Sequence, residues 1–255
     1  MPSKHLNTEQ ECYCCSLLAT TVEHVPPRCF FPEKKDLPQD QDFRKSLITV
    51  PSCADHNTKK SGDDDYLHYV ITMSLGTNDK GHNHFNTKIL RAINRRPTLI
   101  NRLLSRSKPA LIKDPDNQEV FETRAIEVEY DRVENILILI ARGLYYHHFQ
   151  SKWEGRIDLH TEFIISAGHE NSIHHNEALA MMFQAANRIF EPLERHGENP
   201  DIFFYQVADA QPHFHKIMQV IFFGGVKIVF FFGKQANLPL NSDPTCTNWF
   251  HVSWS

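Results

Sequence analysis

The stretch that decides the fold lies between residues 12 and 66 and consists of three segments: CYCC at 12–15, TVEHVPPRCFFP at 21–32 and SLITVPSCADHNTKKSGDDDY at 46–66. It contains a C-x-x-C pair, Cys12 and Cys15, and a C-x-x-H pair, Cys53 and His56. Two such pairs can place four donors tetrahedrally around one Zn²⁺, which would supply folding energy that this polar segment lacks. We therefore predict a structural zinc ion held by these four side chains.

The distribution of the cysteines also favours a metal site. Of the six cysteines, only Cys246 lies beyond residue 53. A disulfide framework would instead be spread over the fold that it stabilises. Within the C-Y-C-C run, Cys14 could replace one of its neighbours as a zinc ligand. Otherwise Cys14 and Cys29 are expected to be ordinary free thiols.

Secondary structure around the cysteine pairs is predicted from local pattern. Thr20 to Val25 should form a short strand that Pro26 and Pro27 end, and Ser46 to Val50 a second strand that Pro51 ends. A helix is predicted from Ala54 to near Leu75, because its apolar residues recur on one face. The resulting order is strand, loop, strand, helix.

Three residues in this segment suit hydrolytic chemistry. Glu23 and His24 stand at the end of the first predicted strand, and Asn57 directly follows the last predicted zinc ligand. Phosphodiester hydrolysis needs a base that takes a proton from water and a divalent metal that polarises the phosphate. His24 suits the first task because its unperturbed pKa lies near neutral pH. Glu23 and Asn57 offer hard oxygen ligands of the kind that Mg²⁺ or Mn²⁺ prefers.

The same segments resemble the zinc-containing HNH endonucleases of bacteria and their phages, a family with a ββα-metal fold. The resemblance covers about residues 12–70 and rests on C-Y-C-C, E-H-V-P-P-R-C-F-F-P and L-I-T-V-P-S-C-A-D-H-N-T-K-K-S-G-D-D-D-Y. It implies that His24 is the general base, that Glu23 and Asn57 hold a catalytic Mg²⁺ or Mn²⁺, and that the C-x-x-C and C-x-x-H pairs hold a structural zinc ion. The later segments A-R-G-L-Y-Y-H-H and F-F-G-G-V-K-I-V-F are similar to segments that follow this module in some bacterial proteins, which implies no defined activity.

Two positions depart from the family pattern. His56 stands where a cysteine is usual, which a Cys₃His zinc site accepts. Ser46 stands where the family has its middle asparagine, the residue that orients the loop bearing the catalytic histidine. Asp42 or Arg44 could take over that role. Ser46 therefore raises the alternative of a catalytically weakened module that binds nucleic acid or a protein partner without cutting.

The segment 79–113 is basic, with nine Lys and Arg residues against a single acidic residue, Asp79. Its apolar positions predict two short helices broken at Pro97. A solvated helix face and a phosphate-binding surface fit this composition about equally well. The candidate nucleic-acid-binding residues are Arg91, Arg95, Arg96, Arg102 and Lys60.

The rest of the chain mixes predicted strands and helices. The strands are predicted at 120–130, 157–166, 203–207, 217–223 and 226–232, and the helices at 132–149 and 176–193. Gly224 and Gly225 should form a tight hairpin turn, and the tail from Gln235 onward is predicted to be irregular. The histidine pairs 147–148 and 174–175 are interpreted as ordinary core or surface residues, and Asp63 to Asp65 as a solvated helix face.

Composition limits the interpretation further. The 255 residues are 41% hydrophobic and carry a formal net charge of -4, so a nucleic acid would have to bind through a local basic surface. No apolar run has the length of a membrane span or signal peptide, so we expect a cytoplasmic protein. The predicted fold class is α+β, with a zinc-stapled ββα-metal module at 1–78, a basic helical linker at 79–113 and an α+β region at 114–255. DNA is the expected partner and RNA a possible one, and the last region could support a homo-oligomer or a protein partner.

Overall fold

The chain has mixed α+β structure in which every sheet is antiparallel. The computed structural model describes residues 10–38, 40–95, 98, 101, 104–113, 119–167, 170–233 and, for the backbone, 247–252. Its strands are β1 (Thr21–His24), β2 (Thr49–Ser52), β3 (Ser107–Lys113), β4 (Val120–Glu127), β5 (Arg156–Thr161), β6 (Ile164–Ala167), β7 (His196–Asn199), β8 (Phe203–Asp209), β9 (Lys216–Phe222), β10 (Val226–Gly233) and β11 (Thr247–Val252). Its α-helices are α1 (Ser61–Thr72), α2 (Asp79–His84), α3 (Leu90–Arg95), α4 (Tyr130–Phe149) and α5 (Ser172–Phe190).

Three sheets organise these strands. Among the described strands, β1 and β2 form a two-stranded sheet, four strands follow the order β3-β4-β11-β6, and five follow the order β5-β10-β9-β8-β7. Single 3-10 turns lie at Arg28–Phe30, Lys34–Asp36 and Thr58–Lys60, and a π-helical turn at Phe85–Ile89 joins α2 to α3. No helix in the described part of the chain is long and apolar enough to cross a bilayer.

The β1–β2 ribbon positions the first two candidate residues. Glu23 lies opposite Val50, and His24 lies opposite Thr49. The prediction that Pro51 ends the second strand is wrong, because Pro51 lies inside β2 opposite Val22. Proline has no N–H to donate, but its carbonyl accepts a hydrogen bond from the Tyr13 N–H at 2.8 Å. The Cys12–Cys15 knuckle therefore runs beside β2.

Helix α1 begins at Ser61, seven residues later than predicted, because residues 53–60 form the Cys53–His56 turn and a 3-10 turn. Two aspartates lie in its first turn, where the helix dipole favours negative charge. Tyr66, Leu67, Val70 and Ile71 are fully buried and fix the apolar face of the helix. That face packs against α4.

One continuous buried cluster joins the zinc-knuckle segment to the C-terminal region. It includes Tyr13 beside β2, Leu67 on α1, Leu137 on α4 and Phe230 on β10. Phe30, six residues after His24, stacks obliquely on Phe222 with ring centroids 4.9 Å apart. The N-terminal segment thus shares its core with side chains from the far end of the chain. The domain boundaries after residues 78 and 113 stay a prediction.

The predicted elements of the C-terminal region are present, with corrections at four places. Segment 157–166 turns at residues 162–163 and forms β5 and β6 in different sheets, and β7 was not predicted. Residues 107–113 of the predicted helical linker form β3, because they pair along their whole length with β4. The tail predicted to be irregular supplies β11, which inserts between β4 and β6. Pro97, at which the two predicted linker helices are expected to break, lies outside the described residues.

Two glycines give a matched test of the contact between α4 and the end of β1. A Cβ atom on Gly143 would lie 2.6 Å from a methyl carbon of Val25, the residue after His24, whereas a Cβ on Gly62 would meet nothing within 4 Å. We expect Gly143→Ala to lower the free energy of unfolding by about 1–3 kcal/mol through overpacking. Gly62→Ala should leave it unchanged or raise it by up to about 1 kcal/mol. Urea unfolding of both variants measures this, and equal stabilities would contradict the close contact.

Candidate functional site

Two chain segments bring the four predicted zinc ligands together. The first is a tight knuckle, closed by a hydrogen bond from the Cys12 N–H to the Leu17 carbonyl at 2.8 Å. The second is the turn after β2 that carries Cys53 and His56. The donor atoms of Cys12, Cys15, Cys53 and His56 all lie within 4.8 Å of one another, as a shared metal ion requires.

The donor distances match a tetrahedral site. The Cys12 and Cys53 Sγ atoms lie 3.6 Å and 3.3 Å from His56 Nδ1, and the Cys15 and Cys53 Sγ atoms lie 3.8 Å apart. Bonds of about 2.3 Å from zinc to sulfur and about 2.0 Å from zinc to nitrogen give tetrahedral edges of about 3.8 Å between two sulfurs and about 3.5 Å between sulfur and nitrogen. The four residues are therefore positioned to bind a metal ion, in an arrangement consistent with structural zinc.

The surroundings of the cluster support coordination and distinguish Cys14 from the ligands. Although burial raises the pKa of Cys12, hydrogen bonds from neighbouring backbone N–H groups outweigh it and lower the pKa overall. Burial lowers the pKa of His56, which favours the neutral imidazole that a metal needs. Cys14 does not belong to the cluster, and its backbone N–H donates to Cys12 Sγ. The Cys14 side chain is therefore the least suited of the run to act as a ligand.

Directly beside this cluster, a pocket of about 230 Å³ opens at the end of β1. Glu23 and His24 on β1 line this pocket together with Asn57, the residue that follows His56. The three predicted residues therefore share one space. The remaining lining residues come from the loop after β1 and from the start of α1: Val22, Pro27, Arg28, Cys29, Ser61, Asp64 and Asp65.

A buried ion network forms one wall of the pocket. The Lys60 ammonium lies 2.8 Å from a Glu23 carboxylate oxygen and 2.8 Å and 3.0 Å from the two Asp64 oxygens. The side chains of Lys60 and Glu23 are each 7% exposed and that of Asp64 is 13% exposed. Burial raises the pKa of both carboxyl groups, and the ammonium partly offsets this shift. Two carboxylates thus share one ammonium.

His24 is half-buried at the pocket wall. Its pKa is lowered by burial first and then by the positive charges of Arg28 and Arg44. At neutral pH the imidazole is therefore neutral and can accept a proton. Arg28 is exposed at the rim of the same pocket.

The side chain of Asn57 is held in one orientation. Its Nδ2 atom donates to Thr21 Oγ1 at 3.0 Å and to the Val22 carbonyl at 3.2 Å, both on β1. Because the amide nitrogen is used in this way, the amide oxygen is the atom that Asn57 can offer to a ligand. The zinc-knuckle turn thus places Asn57 against the strand that carries Glu23.

Arg44, one of the residues suggested to replace the family's middle asparagine, braces the loop after His24. Its Nε atom donates to the Phe31 carbonyl at 3.0 Å, and its guanidinium lies 3.7 Å from Glu33. Asp42 accepts a hydrogen bond from the Arg44 backbone N–H at 3.0 Å. Ser46 is exposed and has a positive φ of 52°, so it serves the turn into β2.

Three of the five predicted nucleic-acid-binding residues lie in the described part of the chain, each in different surroundings. Lys60 is buried in the ion network, and its role in nucleic-acid binding stays a prediction. Arg91 bonds Asp36 at 2.6 Å, and Arg95 is exposed at the end of α3. Arg96 and Arg102 lie outside the described residues.

Sequence reasoning missed Asp64 and Arg28 as residues of the pocket. Asp64 was grouped with its neighbours as a solvated helix face, but its side chain is only 13% exposed and pairs with Lys60, whereas Asp63 pairs with Arg132 on α4. The available signal was the four-residue spacing between Lys60 and Asp64, which places opposite charges on one side of a helical turn.

Two buried histidines lie under the loop that follows β1. His68 and His84 are 2% and 1% exposed, and their ring centroids are 4.8 Å apart. His84 Nε2 bonds the Cys29 carbonyl at 3.1 Å, while His68 Nε2 and His84 Nδ1 have no hydrogen-bond partner among the described residues. Burial lowers the pKa of His84 to about 4, and lowers that of His68 well below 6.5. Both rings are therefore neutral in the native protein.

Comparison of the chain with protein-family models, with curated proteins and with solved structures finds no match. The functional interpretation therefore depends on the residues and the geometry of the metal cluster and the pocket.

The zinc assignment predicts a contrast between neighbouring cysteines. We expect the purified wild-type protein and Cys14→Ser to carry about one zinc ion per chain, and Cys12→Ser or Cys53→Ser to lose it and more than about 4 kcal/mol of stability. Elemental analysis and thermal unfolding measure both quantities. Zinc retained in Cys53→Ser, or lost in Cys14→Ser, would overturn the ligand set.

The buried histidines predict acid sensitivity. Because the pKa of His84 is about 4 in the native state against 6.5 in the unfolded chain, its contribution is fully present above pH 6.5 and decreases as the pH falls towards 4. In the zinc-loaded wild type, the free energy of unfolding should fall as the pH drops through this window. We expect the fall to be shallower in His84→Phe, by up to about 1.4 kcal/mol per pH unit. His174→Phe, at an exposed position on α5, is the control and should keep the wild-type slope. Identical slopes for all three proteins would show that His84 is not buried in its neutral form.

Proposed function

We propose that the protein is a metal-dependent HNH endonuclease that hydrolyses phosphodiester bonds, with DNA as the expected substrate. The observation that carries this proposal is the meeting of Glu23, His24 and Asn57 in one pocket beside a four-donor metal cluster. The residues that the resemblance designates as base and metal ligands come from two segments of the chain, the end of β1 and the turn after His56. Their convergence is what a shared phosphate would require.

The chain's own groups have separable roles in this proposal. His24, kept neutral by burial and by Arg28 and Arg44, takes a proton from the attacking water. Arg28 at the pocket rim offers a guanidinium to the phosphate of the substrate. The hydrogen bonds of Asn57 to β1 engage its amide nitrogen, so the amide oxygen is the atom that it would offer to the metal.

The oxygen donors in the pocket fit Mg²⁺ or Mn²⁺. Glu23 offers a carboxylate and Asn57 an amide oxygen, which are hard ligands of the type that these ions take. When bound, such an ion would polarise the phosphate and stabilise the leaving oxygen. The fit has one complication, because Glu23 already pairs with Lys60.

The rival proposal is a module that binds nucleic acid or a protein partner without cutting it. Two observations favour this rival, namely the surface position of Ser46 and the ion pair that occupies Glu23. It predicts binding that weakens with salt and no cleavage with any metal. Cleavage assays on His24 variants separate the two proposals.

The test is cleavage of plasmid DNA, single-stranded DNA and RNA with Mg²⁺ or Mn²⁺. We expect cutting by the wild type and a loss of at least about 100-fold in His24→Ala, because a positioned general base contributes about that much or more. His174→Ala, which removes an exposed histidine on α5, is the matched control and should cut like the wild type. Zinc content and thermal unfolding confirm that each variant is folded. Equal cutting by wild type and His24→Ala would refute the catalytic assignment, and binding without cutting would favour the rival.

A further inference from the structure

The ion network in the pocket has an uneven charge. Glu23 and Asp64 each bring a carboxylate within 3.0 Å of a single ammonium, that of Lys60, so these three residues together carry two negative charges and one positive charge. Buried carboxylates without a full complement of cations are costly and attract another cation. Asp65 also lines the pocket.

We propose that Asp64 is an additional oxygen ligand of the divalent cation and that the Lys60 ammonium occupies part of the cation's place until the ion displaces it. The proposal rests on the proposed function, because it concerns the metal held at Glu23. It assigns to Lys60 the role of a tethered competitor of the metal. The ligand class is a hard divalent cation, Mg²⁺ or Mn²⁺.

Three observations carry the assignment of Asp64. Its side chain lines the pocket together with Glu23 and Asn57. Both of its oxygens lie within 3.0 Å of the same ammonium that Glu23 bonds, so the two carboxylates already converge on one cationic centre. The neighbouring Asp63 instead forms an ion pair with Arg132 and is 42% exposed. Asp64 therefore faces the pocket, whereas Asp63 faces α4, although both lie in the first turn of α1.

The role of Lys60 follows from its burial and its length. The ammonium is 7% exposed and makes its charged contacts with Asp64 and Glu23, so it stabilises the two carboxylates in the absence of a divalent ion. A lysine side chain has four flexible methylene groups. Once a divalent ion neutralises the carboxylates, the ammonium can therefore move away from them while the backbone of Lys60 stays in place.

The test measures Mn²⁺ binding to zinc-loaded protein without nucleic acid, by electron paramagnetic resonance of free Mn²⁺. We expect Asp64→Asn to weaken Mn²⁺ affinity by about tenfold or more, and Asp63→Asn, its matched control, to leave it unchanged. Lys60→Met should strengthen Mn²⁺ affinity by about tenfold or more, because it keeps the aliphatic stem and removes the competing charge. Unchanged affinity in Asp64→Asn would overturn the ligand role, and unchanged or weaker affinity in Lys60→Met would overturn the competition.

The double variant separates ligation from a general electrostatic effect. Asp64→Asn combined with Lys60→Met restores the net charge of the wild-type network. Asp63→Asn combined with Lys60→Met has the same net charge but keeps Asp64. A ligand role predicts that the first double variant binds Mn²⁺ about tenfold or more weakly than the second, whereas equal affinities would reduce Asp64 to a distant charge and overturn its assignment.

Lys60→Met leaves two buried carboxylates without their ammonium, so its folding needs its own measurement. We expect its melting temperature to fall without Mn²⁺ and to recover with saturating Mn²⁺ by more than the wild type gains. Lys60→Gln, which keeps hydrogen-bond donors, is a second variant with the same expected direction. A melting temperature that Mn²⁺ raises no further in these variants than in the wild type would contradict the proposal.

Failure of this inference and failure of the nuclease proposal give different results. If Mn²⁺ affinity responds to Asp64 and Lys60 but His24 variants change no cleavage, the cation site stands and the nuclease does not. If cleavage depends on His24 while Mn²⁺ affinity ignores Asp64 and Lys60, the nuclease stands, and Asp64 is not a metal ligand and Lys60 not a competitor of the metal.

Discussion

The convergence of four donor atoms between the Cys12–Cys15 knuckle and the Cys53–His56 turn is the constraint on which the N-terminal segment depends. The ribbon that it closes pairs only four residues on each strand, and a two-stranded ribbon of that size is marginal by itself. The knuckle lies along the free edge of β2 through the bond from Tyr13 to Pro51. A metal ion at this point would offset the entropy of closing the long loop between the two segments.

The same constraint explains why buried charge is tolerated nearby. Asn57 follows His56 directly, and Lys60 lies in the next turn, so the metal cluster fixes Asn57 in the pocket wall and Lys60 behind it, beside Glu23. A buried set of two carboxylates and one ammonium is weak evidence for stability, because apolar residues of similar volume would often stabilise the core as well or better. Its position in an open pocket beside His24 fits a role in binding a cation or a phosphate rather than a role in folding.

How far the sequence could predict this arrangement depended on whether the signal was local. The C-x-x-C and C-x-x-H spacings predicted which donors meet, and the Gly224-Gly225 turn predicted the β9–β10 hairpin, because each signal lies within a few residues. The partners of Lys60 could not be predicted, because the local sequence around a buried lysine does not differ from that around an exposed one. Only the fold shows that Glu23 lies beside it. Likewise, the strand β11 could not be predicted, because it is defined by its pairing with β4 and β6, which lie far away in the chain.

Long-range packing also decides how the candidate base is held. His24 stands at the end of β1, and the residue after it packs against Gly143 on α4. Phe30, later in the same loop, packs against Phe222 on β9, and Arg44 holds the loop through the Phe31 carbonyl. The motif around residues 12–66 therefore defines which groups could perform the chemistry, whereas the rigidity of the loop comes from α4 and the five-stranded sheet. A truncated N-terminal segment would expose that packing face and lose the support of the loop, even with its metal cluster intact.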